Sequence, residues 1–286
     1  MPSARLHTLL NYLIFPPTKL NRQKLERHLA GKTILITGAS SGIGEQLAYL
    51  LSDMGVHLIL VARREAKLLA MKREIEVKGA ARVSVVPADL RDPQDMEGLL
   101  AFLHQRPEGI DIVISNAGHS IHRSIGQSLD RYHDFTRTMG INYFAPVQLL
   151  LSLIPLLGHK KGQIINISTV NVMLTPLPHW AAYQASKSAF DTWFRSAAPE
   201  LNRMGIATTS IYLPLVRTPM ILPTAAYRKL PAMSPGDVAK MIGKAIYTRR
   251  PTFKPWWLIF GALASVFIRT MPSRPKKEKG RDHEDM

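Results

Sequence analysis

Apolar and polar positions change rhythm repeatedly along this chain. Short, nearly continuous apolar runs rich in β-branched residues occur at 32–37 (KTILIT), 56–61 (VHLILV), 82–86 (RVSVV), 110–115 (IDIVIS), 162–168 (GQIINIS) and 206–213 (IATTSIYL). Runs this apolar suit strands buried on both faces. Between them lie stretches of helical length at 43–54, 65–78, 93–105 and 128–157. Such alternation predicts an α/β fold, a doubly wound parallel sheet with helices on both faces. No repeat and no linker interrupts 31–248, so a single domain is predicted there. Pro199 falls inside the helix expected to begin near Tyr183 and should kink or end it.

Composition agrees with this picture. The chain has 286 residues, 46% hydrophobic and 20% charged, enough for one large α/β domain with a real core. With no cysteine, disulfides and thiolate chemistry are excluded, and a cytoplasmic home is expected. The ten histidines form no HxH or HExxH pattern, so no metal site is predicted.

Charge adds a second theme. Residues 1–30 carry five Lys/Arg and one acid, and residues 249–286 carry nine and four, so +9 of the net +16 lies in the two ends. Apolar runs accompany these charges, LLNYLIF at 9–15 and WWLIFGALASVFI at 256–268. The longer has 13 residues, short of the ~20 that span a bilayer. Lying flat on an anionic membrane surface fits the apolar neighbours better than binding nucleic acid. The alternative is that both ends pack on the domain or form a dimer contact. The expected organisation is an N-terminal extension at 1–30, a domain at 31–250, an apolar membrane-associating segment at 251–271 and a disordered polar tail at 272–286.

Two stretches carry candidate chemistry. TGASSGIG (37–44) follows the first strand and opens a helix. Its glycines, Gly38, Gly42 and Gly44, let the backbone approach a diphosphate, which the N-terminus of the helix attracts. Near the end of the second strand, where an acid would accept the ribose 2′-OH of NAD, stand Arg63 and Arg64. Guanidinium suits a 2′-phosphate, which points to NADP(H) with NAD(H) as the alternative; otherwise both arginines simply solvate a helix start. Farther on, Tyr183 and Lys187 sit at i and i+4, one face of a helix. The nearby ammonium is expected to lower the phenol's pKa and ready it for acid–base work. Ser168 and Thr169 end the strand before it.

The GxxxGxG loop, NAG (116–118) and YQASK (183–187), in this order, resemble the short-chain dehydrogenase/reductase family over about residues 31–250. The resemblance implies a Rossmann-type sheet of about seven strands, a homo-oligomer, and an oxidoreductase using NAD(H) or NADP(H). It implies a cofactor-binding set of Gly38, Ser40, Ser41, Gly42, Ile43, Gly44, Arg63, Arg64, Asp89, Leu90, Asn116, Ala117, Gly118, Tyr183, Lys187, Pro214, Val216 and Thr218. In that set Asp89 would hold the adenine, Asn116 would lie near its ribose and Thr218 would bond the nicotinamide amide. The catalytic set implied is Tyr183, Lys187, Asn142 and a hydroxyl that usually stands 13 residues before the Tyr. Here that position is Val170, and alignment on the strand selects Thr169 instead. Ser168 is the reserve, since alternation points it to the other face. A second departure is Leu215, which stands where the family often has Gly and should avoid a positive φ.

Stretches such as NAGHSIHRS, DRYHDFTRTMGINYF and YLPLVRTPMILPT resemble bacterial reductases that act on long-chain fatty acyl-CoA. The expected lid, 216–235, is apolar with Arg217, Arg228 and Lys229, which suits an acyl chain on a phosphorylated carrier. The function implied is NADPH-dependent reduction of a fatty acyl thioester or related lipid carbonyl. The alternatives are a ketone/alcohol oxidoreductase on 3-oxoacyl or other apolar substrates, and a non-catalytic NADP-binding protein at a membrane. The expected partners are a lipid-like small molecule and an anionic membrane surface, not nucleic acid.

Overall fold

The structure, a computed structural model, describes residues 14–222, 227 and 230–261. Most of LLNYLIF, residues 262–268 of the second apolar run, the lid cations Arg228 and Lys229 and the tail 272–286 lie outside the described residues.

In chain order the elements are α1 (Arg22–Leu29), β1 (Thr33–Thr37), α2 (Gly42–Leu50), β2 (His57–Ala62), α3 (Glu65–Lys78), β3 (Arg82–Pro87), α4 (Pro93–His104), β4 (Ile112–Ser115), α5 (Tyr132–Met139), α6 (Ala145–His159), β5 (Gln163–Thr169), α7 (Ala181–Arg203), β6 (Ala207–Leu213), α8 (Pro235–Thr248) and β7 (Thr252–Phe253). All strand pairings are parallel, in the order β3-β2-β1-β4-β5-β6-β7. The strand carboxyl ends therefore lie along one edge, where ligands of such sheets bind.

Strand alternation divides the core into two layers. Ile34, Ile36, Leu58 and Leu60 face a layer formed with α1, α2, α3 and α8. Leu35, Ile59, Val61 and Val113 face the layer of α4, α6 and α7. Leu25 and Leu29 of α1 are fully buried in the first layer, so part of the stretch read as an extension belongs to the domain core. The seventh strand is two residues long, too short to show a period of its own.

Tyr132–His159 is continuous, with a π-helical turn at Gly140–Phe144 joining α5 to α6. Among the described residues it is the helix long and apolar enough to cross a membrane. Here it packs Leu149, Leu150, Leu153 and Leu157 into the domain core. Pro199 does not end α7, which runs on to Arg203. A proline removes one N–H bond to the carbonyl four residues back, and burial of Leu201 holds the last turn in place. Leu215 does not take a positive φ.

Candidate active site

The loop after β1 is built for close approach of its backbone. Gly38 and Gly42 have φ of 66° and 60°. A Cβ on Gly44 would lie 2.6 Å from the Gly38 carbonyl oxygen, and one on Gly42 would lie 2.9 Å from the Thr218 methyl. The Ser41 side chain makes no cap to the first turn of α2, so those N–H groups keep their pull on an anion. Ile43 packs against the core. Asn116 pins the loop, its Nδ2 donating to the carbonyls of Thr37 (2.9 Å) and Gly38 (3.3 Å). The Ala117 N–H donates to Thr37 Oγ1 at 3.0 Å. Beyond β6, Pro214 leads into a turn fixed by a bridge between Val216 and Met233. These features fit a dinucleotide whose phosphates lie on the loop.

The two arginines separate. Arg64 donates to the Ser40 hydroxyl (3.0 and 3.2 Å) and carbonyl (2.9 Å), bracing the loop. Arg63 is 69% exposed and lies 3.9 Å from Asp89. Asp89 is clamped by Arg91 at 2.9 and 2.5 Å, and this pairing holds its carboxyl down at about 2. Leu90 is buried beside it. His119 is pulled low by burial and then by the charges of Arg137, Arg91 and Arg63, which marks a strongly cationic corner.

At the end of β5 successive hydroxyls diverge. Thr169 Oγ1 accepts from the Asn171 N–H at 3.3 Å, and its side chain lies close enough to the Tyr183 phenol to favour the ionised form. Ser168 Oγ turns the other way and donates to Asp191 at 3.5 Å, so it does not serve the phenol. Lys187 Nζ donates to the Ile167 carbonyl at 3.1 Å. Asn142, buried in the π-helical turn, accepts from the His119 N–H (2.9 Å) and donates to the His119 carbonyl (2.8 Å) and Ser186 Oγ (2.9 Å). A Cβ on Gly118 would lie 3.1 Å from Asn142 Oδ1 and 3.6 Å from Lys187 Nζ, so this glycine keeps the two side chains in one space.

A family description, short chain dehydrogenase, matches residues 32–227. The chain is 44% identical over 246 residues to a fatty acyl-CoA reductase of Acinetobacter baylyi, covering 86% of this chain and 82% of that one. It is 40% identical over 247 residues to a fatty acyl-CoA reductase of Mycobacterium tuberculosis, covering 85% and 83%. Its fold superposes on a short-chain dehydrogenase from Sphingobium yanoikuyae in complex with NADPH, with a TM-score of 0.74, 24% identity, and coverage of 88% of this chain and 100% of that one. The chain belongs to the short-chain dehydrogenase/reductase family. It is an NAD(P)-dependent oxidoreductase of that family.

One expectation drawn from the family's Tyr and Lys is reversed by the environment. Burial pushes the Tyr183 phenol up to about 12, Thr169 opposes this, and Tyr227 adds to it. Burial pulls Lys187 down to about 8, against the raising field of Asp191. Desolvation outweighs the help that a lysine turned onto a backbone carbonyl can give the phenol.

Sequence reasoning did not find Asp191. It is buried one helical turn past Lys187 and accepts from Arg195 Nε at 2.8 Å. Burial, and then the charge of Asp191, push the Tyr212 phenol up to about 12. The i+4 spacing from Lys187 of Asp191, the one acid in the largely aromatic FDTWF, was the available signal. Also unforeseen is an aromatic wall. Trp180 lies 5.3 Å from the Tyr183 ring and stacks on Tyr227 at 5.8 Å, with His122 edge-on to both. These residues come from three separate loops, and no spacing in the sequence links them.

Lys187 gives a pH prediction. Its folded value, about 8, lies below the ordinary 10.5, so between these values the unfolded chain binds more protons and stability rises with pH. Relative to Lys187→Met, the wild-type protein should gain about 3 kcal/mol from pH 8 to pH 10.5. Loss of the Ile167 bond does not vary with pH and cancels in this difference. Urea unfolding of both proteins across that range measures it, and a flat difference rejects it.

Proposed function

We propose that this protein is an NADPH-dependent reductase that converts a fatty acyl thioester to an aldehyde. The observation that carries the reading is the convergence of the Thr169 and Tyr183 hydroxyls beside Lys187, whose Nζ donates to the Ile167 carbonyl of the same strand. Two relatives with 44% and 40% identity bear the name fatty acyl-CoA reductase.

The cofactor would rest on the loop from Gly38 to Gly44, with Asn116, Ala117 and Gly118 near its adenosine side and Thr218 near its nicotinamide. When bound, it supplies hydride. Thr169 and Tyr183 donate to the substrate carbonyl oxygen and stabilise the charge that develops there. A phenol held protonated suits reduction, because Tyr183 must give up a proton as the oxygen becomes an alkoxide. Lys187 restores that proton, and Asn142 keeps the path to it open through the His119 backbone.

Cofactor choice rests on Arg63, since Arg64 is committed to Ser40. Arg63, with Arg91 and Arg137 close by, offers a 2′-phosphate an exposed guanidinium in a cationic corner.

The C-terminal run has two sides. Leu258 is buried with Val170 and Tyr212, and Trp257 packs on the same cluster. Trp256, Ile259 and Phe260 face outward, 56%, 56% and 65% exposed. With Lys254, Arg250 and Arg249 just ahead, this outer side suits an anionic leaflet from which a lipid substrate is drawn.

Three experiments test these readings. Tyr183→Phe should retain NADPH binding and lose at least about 100-fold in turnover of long-chain acyl-CoA; wild-type protein that reduces ketones but no thioester would overturn the substrate assignment. Arg63→Glu should weaken NADPH binding at least about tenfold more than NADH binding, and an unchanged ratio in a fluorescence titration would dismiss Arg63 as selector. Replacing Trp256, Ile259 and Phe260 together by Ser should cut co-sedimentation with phosphatidylglycerol-containing vesicles by at least about tenfold; equal sedimentation would reject the docking side.

A further inference from the structure

The lid residue Tyr227 has a buried hydroxyl with no partner among the described residues. Burying an unpaired hydroxyl is unfavourable, so this group is short of an acceptor. Its ring is fixed, stacked on Trp180 at 5.8 Å with 14° between planes and met edge-on by His122 at 6.1 Å. Trp180 in turn lies 5.3 Å from the Tyr183 ring, so Tyr227 belongs to the wall beside the reacting phenol. Tyr227 is also near enough that its charge would oppose ionisation of Tyr183.

A carbonyl oxygen accepts two hydrogen bonds, and Thr169 and Tyr183 supply both. A third donor at the same wall needs a different acceptor on the substrate head. In a thioester the remaining heteroatom on the carbonyl carbon is sulfur, a weak acceptor until the C–S bond breaks and a good one as thiolate. We propose that Tyr227 donates a hydrogen bond to the sulfur of the acyl thioester and stabilises it as it leaves. This rests on the thioester reading above.

The step balances. Hydride adds to the carbonyl carbon and Tyr183 lends its proton to the oxygen, giving a hemithioacetal. On collapse the C–S bond breaks, its electron pair leaves on sulfur, and the hydroxyl proton returns to Tyr183. The products are aldehyde and thiolate. Burial raises the Tyr227 phenol, which keeps its proton in place as a donor and leaves the thiolate to take its own from water.

The test compares Tyr227→Phe with wild type on two thioesters of one long-chain acid, the CoA ester and an S-aryl ester whose thiolate leaves without help. The variant should lose about 10- to 100-fold in kcat on the CoA ester and less than about threefold on the aryl ester. NADPH binding, read by fluorescence, should be unchanged. Equal loss on both esters, or no loss on either, overturns the proposal. Wild-type protein inactive on both esters but active on ketones refutes the thioester reading itself, and the proposal falls with it.

Discussion

Lys187 is half-buried at the end of β5, and desolvation pulls it well below an ordinary lysine. An ammonium in such a place must be met by oxygen. The Ile167 carbonyl meets it directly, and Asp191, one turn farther along α7, supplies a compensating field. Both partners need β5 and α7 in one exact alignment. That alignment places Ser168 against Asp191 and leaves Thr169 facing the phenol. The hydroxyl that reaches Tyr183 is therefore chosen by how a charge is accommodated behind it. Asp191 in turn is paired with the exposed Arg195, so the anion that supports the lysine is itself held from the outside.

Much of this was legible along the chain because parallel strands buried on both faces leave unmistakable apolar runs. The glycine loop, the arginines and the Tyr/Lys pair are all local patterns, tied to one strand end or one helix face. Alignment on the family's strand pointed to Thr169, and the period of a strand turned Ser168 to the other face. What escaped was nonlocal or energetic. Burial of Leu25 and Leu29 depends on α8, more than 200 residues away in the chain, and nothing near α1 announces it. The π-helical turn that aims Asn142 inward has no sequence mark in GINYF, since it is set by packing on both sides. The direction of the phenol's shift was misjudged because a pair spacing reveals a neighbour but not the depth of burial. Pro199 misled for a related reason, since tertiary packing overrode a local rule.

The two chemical ends of the site differ in character. The loop after β1 is held by Thr37, Asn116 and Arg64, and its glycines leave no side chain to adjust. The opposite wall is made of large rings from separate loops, whose positions depend on one another. A backbone cradle tolerates little variation, whereas a ring wall can be reshaped residue by residue. The ring wall is thus the more adjustable part, although Trp180 lies only 5.3 Å from the Tyr183 ring.

The helix α1 leaves the ribosome early, yet the surface that receives it is α8. A Cβ at Gly243 would lie 3.1 Å from Leu25, so the two helices meet at close range. At about 5–20 residues per second, translation reaches that surface roughly 10–40 s after α1 emerges. During this interval the part of α1 that packs on α8 lacks that partner. Vectorial synthesis thus leaves a helix made early to be docked among the last elements.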